Sequence, residues 1–210
     1  MIEIKTIESP QKQAVNAAVD IHLATFQGFF LTFMGKGFLR QLYSSYCEHP
    51  ASGLLGAFRE DGTLAGFLAY SSDFSGLYKF MIKKRLVQFG WYAAGAFFRK
   101  PKVFMRLVRA FLKPGESRRE EAYVELASIG VSPECKGAGI GSQLISALKE
   151  QVDFEKYAYI NLETDALDND AANRFYEKNG FVLHRSFQTH EGRQMNEYRF
   201  QKASAEPLDQ

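Results

Sequence analysis

Apolar and polar residues alternate through IEIKTI at 2–7, a period of two that predicts a strand. After Ser9 and Pro10 the period becomes helical and runs to Thr25, with Ser9 read as N-cap and Pro10 in the first turn. The aromatic, glycine-punctuated stretch FQGFFLTFMGKGF at 26–38 reads as a loop or broken helix, and helical spacing returns over 38–49. Two β-patterned runs across 52–72 flank Asp61-Gly62, which predicts a hairpin turned on those two residues. Farther on, 121–131 and 157–164 read as strands, and 141–152 and 169–180 as helices. Asp168 or Asn169 is expected to cap the last helix, and Gly180 to end it. The runs 181–188 and 193–200 predict a closing hairpin about His190-Glu191-Gly192, followed by a polar, frayed tail at 203–210. This order predicts one domain over 1–202. Its fold class is an α/β (α+β) sandwich, a mixed, mostly antiparallel central sheet flanked by helices.

Composition changes this picture in one place. With 46% hydrophobic and 24% charged residues, the chain is an ordinary globular one, and a net charge of +2 provides no global basic field for nucleic acid. Residues 75–114, however, hold ten Lys and Arg and no Asp or Glu, so this segment carries +10 and the remainder −8. Nine aromatics lie in the same segment, and the spacing predicts two helices, roughly 76–90 and 100–113, with Pro101 opening the second. Three readings compete: a helical cap with a solvated basic face, a contact for an anionic acceptor, and a peripheral contact with the inner membrane surface. The N-terminus lacks the basic start and apolar run of a signal peptide, and no apolar stretch reaches membrane-span length, so a cytoplasmic location is expected. Cys47 and Cys135 lie far apart and are read as free thiols, and no His, Cys or Asp cluster has metal-ligand spacing.

Candidate chemistry centres on Lys136-Gly137-Ala138-Gly139-Ile140-Gly141, between a predicted strand and a predicted helix. Unpaired amides at a helix N-terminus and the helix dipole favour an anion, and glycine allows close approach with positive φ. The loop lacks the Lys-Ser/Thr ending of a nucleoside-triphosphate P-loop and the spacing of a dinucleotide fingerprint. The pyrophosphate of coenzyme A and a ligand-free turn remain as readings of the loop alone.

The loop, with ELASIGVSPE before it and Asn169-x-x-Ala172-x-x-x-Tyr176-Glu177-Lys178-x-Gly180-Phe181 after it, resembles the GCN5-related N-acetyltransferase (GNAT) superfamily over about residues 120–200. Lys136 stands where that family has Gln or Arg, keeping the charge but losing the fork. The resemblance implies acetyl-CoA as co-substrate. It places the pyrophosphate on the amides of 136–141 and on Ser142, and the pantetheine amides on the backbone of Ile129 and Val131. Asn169 would bond the arm from the other side, with Asn173 one turn on. Gly130 is expected to form the bulge that opens strand 121–131 from its neighbour.

The resemblance also implies Tyr176 as general acid toward the departing thiolate and Glu125 as general base. Strand alternation would put Glu125, Ala127 and Ile129 on one face and Leu126 and Ser128 on the other. Glu163 and Asp165 are reserve bases, and the lone residues His22 and His184 are read as structural or exposed. The leading function is acetyl transfer to a primary amine of a small metabolite, with an amino sugar or nucleotide-linked amino sugar as the finer expectation. The alternative is a non-catalytic acyl-CoA-binding or membrane-associated module on the same fold.

Overall fold

The computed structural model describes residues 1–9, 11–26, 30–99, 101, 121–189 and 192–202. Seven strands form one sheet: β1 (Ile2–Thr6), β2 (Ser52–Arg59), β3 (Leu64–Ser71), β4 (Tyr123–Val131), β5 (Tyr159–Asp165), β6 (Val182–Gln188) and β7 (Gln194–Phe200). Their order is β1-β2-β3-β4-β5-β7-β6, and every pair is antiparallel except β4 with β5. The parallel pair needs a crossover, which is supplied by a 3-10 turn at Pro133–Cys135 and helix α5 (Ile140–Gln151). The remaining helices are α1 (Lys12–Thr25), α2 (Phe30–Met34), α3 (Lys36–Glu48), α4 (Phe74–Arg99) and α6 (Asp170–Lys178). This is the α+β sandwich that the apolar pattern predicts.

The sheet is covered on both faces, so the middle of β2 and of β3 is buried without alternation. Toward α1, α3 and α4, Leu54 and Phe67 join Val19, Leu39, Tyr43 and Leu77. Toward α5, Leu55 and its cross-strand partner Leu68 join Leu144, Leu148, Ile160 and Tyr198. Burying each such side chain stabilises the fold by about 1.5–3 kcal/mol, so a core on both faces holds the sheet on which the site is built.

Three local expectations change. Helix α1 starts at Lys12 with Gln11 as N-cap, because the Gln11 amide is bonded to Glu8 O at 2.9 Å in a preceding turn. The β2–β3 connection is longer than a two-residue turn. Gly62 (φ 79) closes it, its amide bonded to Arg59 O at 2.9 Å, while Asp61 Oδ1 accepts from the Thr63 amide at 2.9 Å. Finally, α4 continues through Gly90 and Gly95 to Arg99, with a kink at Arg85 (φ −133, ψ 15), where the spacing predicts an end near 90. Contacts of Phe89, Tyr92 and Ala93 with Met34 and Phe38 hold that extra length in place. The expected second helix at 100–113 and the frayed tail fall mostly or wholly outside the described residues, as does the turn at His190-Glu191.

Candidate active site

The site starts where β4 and β5 part. They pair only through Tyr123–Tyr159, Val124–Ile160 and Glu125–Asn161. Beyond that point β4 is held by β3 alone and β5 by β7 alone. The bulge that accompanies the parting lies at Ala127, not at Gly130: the β3–β4 register jumps between Ala69 and Tyr70 and leaves Ala127 without a partner. Gly130 pairs in register with Phe67, and its bareness serves packing, since a Cβ there would lie 2.8 Å from Phe67 Cε1.

The extra residue also inverts the alternation. Val124 and Leu126 lie in the core under α5, and Ile129 and Val131 pack against that same core. Ser128 instead faces the Tyr43 hydroxyl at 3.4 Å, and Gly130 faces Ile21. Burial raises the phenol of Tyr46, and the nearby Glu125 carboxylate adds to that rise, which puts Glu125 on the Tyr46 side of the sheet. Glu125 and Ile129 therefore point to opposite faces, contrary to simple period-two counting.

The main chain of β4 beyond the bulge is aimed at the slot. The Ser132 amide bonds Ala65 O at 2.8 Å. In an antiparallel ladder this sets Ser132, Gly130 and Ser128 bonding toward β3, so the N–H and C=O of Ile129 and Val131 face the opening.

The glycine loop closes one end of the slot. Gly137 (φ 86) and Gly139 (φ 74) take the left-handed conformation, with open space where a Cβ would stand. They are needed for backbone geometry alone. Gly141 is needed for contact: a Cβ there would lie 2.9 Å from Phe175 Cζ, so α5 and α6 meet across it. Ile140 anchors the loop in the core. The first intrahelical bond of α5 runs from the Gln143 amide to Gly139 O at 3.1 Å, so the amides of Ile140, Gly141 and Ser142 have no helical partner. Lys136, Gly137, Gly139, Ile140, Gly141 and Ser142 line a cleft of about 730 Å³, and Ala138 does not, its amide being bonded to Cys135 O at 3.2 Å. Cys135 borders the cleft with its sulfur 2.6 Å from Arg59 Nη2.

Across the slot, Asn169 caps α6 by position and lines the cleft, donating from Nδ2 to Thr164 Oγ1 at 2.7 Å and to Asp165 O at 3.2 Å. Asn173 does not line it. Its Nδ2 donates to Asp165 O and Asn169 O, and its Oδ1 accepts from Asn196 Nδ2 at 3.0 Å, so its polar atoms are consumed in joining β5, α6 and β7. Tyr176 does line the cleft, half-buried among the rings of Phe175, Phe181 and Tyr198. Burial pushes its phenol up to about 12, so it is protonated at neutral pH.

The opposite end is built from side chains of distant segments. His22 lies on the buried stripe of α1 with Val15, Ala18 and Val19. It is 2% exposed, and its Nδ1 is 2.6 Å from the Tyr43 hydroxyl while Nε2 is buried without a partner. Burial pushes the imidazole down to about 4, so it is neutral at pH 7. His22, Thr25, Phe26, Leu31, Ser128, Glu163 and Met195 line this end. Sequence reasoning treats His22 as background. The available signal is a polar residue on the apolar face of an amphipathic helix. Of the reserve bases, Asp165 is held by Arg193 through 2.7 and 2.8 Å contacts, while Glu163 is exposed on the cleft wall. His184 is exposed on β6. Glu125 accepts from Asn161 Nδ2 at 2.8 Å at the point of parting but is not itself part of the cleft wall.

A sheet split between two parallel strands, with helix-N-terminal amides at the mouth of the split, forms a slot for an extended chain with a seat for an anion at its end. The chain matches the family model described as the acetyltransferase (GNAT) family over residues 17–181. It belongs to the GNAT acetyltransferase family, whose members transfer the acetyl group of acetyl-CoA to an amine. Solved structures agree on the fold. The ribosomal-protein-S18-alanine N-acetyltransferase of Escherichia coli is 15% identical with TM-score 0.58, and each chain is covered in full. An N-acetyltransferase from Staphylococcus aureus Mu50 is 16% identical, TM-score 0.59, over 96% of this chain and 98% of that one. A Bacillus anthracis structure in complex with acetyl coenzyme A is 17% identical, TM-score 0.50, over 76% of this chain and 68% of that one. No curated protein sequence matches the chain.

Proposed function

We propose that this acetyltransferase acetylates the primary amine of a small polar metabolite, with an amino sugar as the acceptor class. The observation that carries this reading is the mixed wall at the acceptor end. Phe26 and Leu31 offer apolar surface to the carbon face of a sugar ring, while His22, Thr25, Ser128 and Glu163 offer bonding partners for its hydroxyls. The family assignment favours an enzyme over the non-catalytic module.

The residues divide the work as follows. The amides of Ile140, Gly141 and Ser142, with Lys136 beside them, hold the coenzyme A pyrophosphate at the positive end of α5. Ile129 and Val131 bond the pantetheine amides as a neighbouring strand would, and Asn169 borders the arm. Acetyl-CoA supplies the acetyl group as an activated thioester. Tyr176, protonated through the physiological range, donates its proton to the thiolate as the carbon–sulfur bond breaks. Glu125 stands back from the cleft wall and therefore takes the amine proton through a water, its carboxylate oriented by Asn161. Neutral His22 bonds the acceptor through Nε2 and is held in orientation by Tyr43; as a base with a pKa near 4 it is too weak to keep an amine's proton.

The test is thiol release from acetyl-CoA with the purified chain and a panel of amino sugars, nucleotide-linked amino sugars, polyamines and peptides. Saturable release with an amino sugar, and none with the same sugar lacking the amine, is the expected result. Selective turnover of a peptide N-terminus or a polyamine would overturn the acceptor assignment.

A further inference from the structure

Helix α4 is firmly seated on one side and bare on the other. Its inner residues Phe89, Tyr92 and Ala93 pack on Met34 and Phe38, with Phe38 and Phe89 ring centroids 4.8 Å apart. Gly37 of α3 leaves room for Tyr92, since a Cβ there would lie 2.2 Å from its ring. At the kink, Arg85 turns inward to Glu48 and Gln41. The outer side is thereby fixed toward solvent. Val87, Trp91 and Phe98 are 82%, 78% and 82% exposed, and Ile82 and Leu86 accompany them. Six of the ten large hydrophobic side chains exposed among the described residues lie on this one helix. Surface hydrophobics scattered singly need no explanation, but a concentrated patch does.

The charge around the patch selects its occupant. Lys79, Lys83 and Lys84 are exposed on the first half of α4, and no Asp or Glu occurs between 74 and 99. In the sequence the same bias continues through Lys100, Lys102, Arg106, Arg109 and Lys113. A second copy of the chain would bring an equal set of cations against this face, and so would the chain's own following segment. An anionic surface attracts all of them while giving Trp91 and Phe98 an apolar layer to enter. No helix of the described residues is long and apolar enough to cross a membrane, and lysines on α4 suit a helix lying along the surface with its cations at headgroup level.

We infer that the outer face of α4 docks this enzyme on the surface of an anionic lipid bilayer. Leu31 belongs both to the acceptor wall of the cleft and to the packing beneath α4. The acceptor end of the cleft therefore lies on the α4 side of the molecule, and docking brings it toward the lipid surface. The inference is independent of which amine is acetylated.

Trp91 is the sole tryptophan of the chain, so its emission reports on this patch alone. The experiment adds vesicles of phosphatidylcholine, alone or mixed with phosphatidylglycerol, to the full chain at low and high salt. Co-sedimentation and a blue shift of Trp91 emission are expected with the anionic vesicles only, weakening as salt rises. The exposed-lysine variant Lys79→Glu/Lys83→Glu/Lys84→Glu should lower partitioning by at least tenfold. By sedimentation, Trp91→Ser/Phe98→Ser should do the same, and both variants should bind acetyl-CoA as the wild type does. Three results would each overturn the proposal. One is no association with anionic vesicles at low salt. Another is a solution dimer that Trp91→Ser/Phe98→Ser separates, which assigns the face to a second copy. The last is Trp91 emission already blue-shifted and shielded from acrylamide without vesicles, which assigns it to the chain's own segment.

Discussion

Along the slot from Ile129 to Ser142 the groups offered to a ligand are main-chain amides and carbonyls, while around His22, Phe26 and Ser128 they are side chains. The two ends of one cleft thus place different demands on sequence. A main-chain site needs only the right dihedral angles, so its trace is a few glycines at fixed spacing, two of them with positive φ. A side-chain site needs particular chemical groups brought from α1, α2, β4, β5 and β7, whose spacing along the chain carries no pattern. On the proposed assignment, a coenzyme half built of main chain would tolerate changes of side chain, and an acceptor half built of side chains could specialise.

The contrast breaks most sharply at Tyr176, a side chain in the main-chain half. Tyr176→Phe removes one hydroxyl and little volume, and should lower kcat by roughly 10²-fold or more while acetyl-CoA affinity is retained. Because burial holds the phenol near 12, the wild-type rate should show no alkaline fall from this group up to pH 10. Wild-type turnover in the variant would leave Tyr176 as packing alone.

His22 sharpens the other half. Its imidazole titrates near 4 in the folded chain and near 6.5 when unfolded, so below pH 6.5 the unfolded state binds the extra proton. Stability is therefore lost as pH falls from about 6.5 to 4, by about 3 kcal/mol from this residue. Denaturant titrations of wild type and His22→Gln at pH 7 and pH 4 should differ by that amount in their pH dependence. The same variant should raise the acceptor KM more than it changes acetyl-CoA affinity.

The smallest expected effect tests the main-chain half directly. Gly139→Asp introduces a side chain at φ 74 and a negative charge beside the free amides. Acetyl-CoA affinity should fall about tenfold, or 1.4 kcal/mol, by calorimetry. Asn173→Ala, whose partners are all within the protein, should leave that affinity unchanged. Equal losses in the two variants would remove the distinction between lining and supporting residues.

Much of the C-terminal half is legible because each of its elements announces itself locally. The stop of α6 at Gly180, with φ 75, is a property of one residue, and the loop before α5 a property of a few. Where local reasoning fails at β4, the cause is a single residue. Ala127 carries no mark of a bulge, and the glycine that does look like one, Gly130, is bare to admit Phe67. A bulge depends on how two strands register, which neither strand encodes alone, and once present it reverses every side chain beyond it. The same limit applies to Asn173, which sits in register to face the slot yet spends its polar atoms on β5, α6 and β7.

The sequence by itself determined the order of strands and helices, the glycine loop that opens α5, and the concentration of cations in 75–114. All of these follow from residue type and short-range period, which act through local backbone preference and amphipathic burial. Only the tertiary structure decided where β4 leaves β5, which face Glu125 takes, that the Tyr43 hydroxyl meets both His22 and Ser128, and that α4 turns Trp91 and Phe98 outward. Each of these depends on contacts between segments far apart in the chain. Their free energy comes from shared burial and shared hydrogen bonds, and no single segment holds both partners.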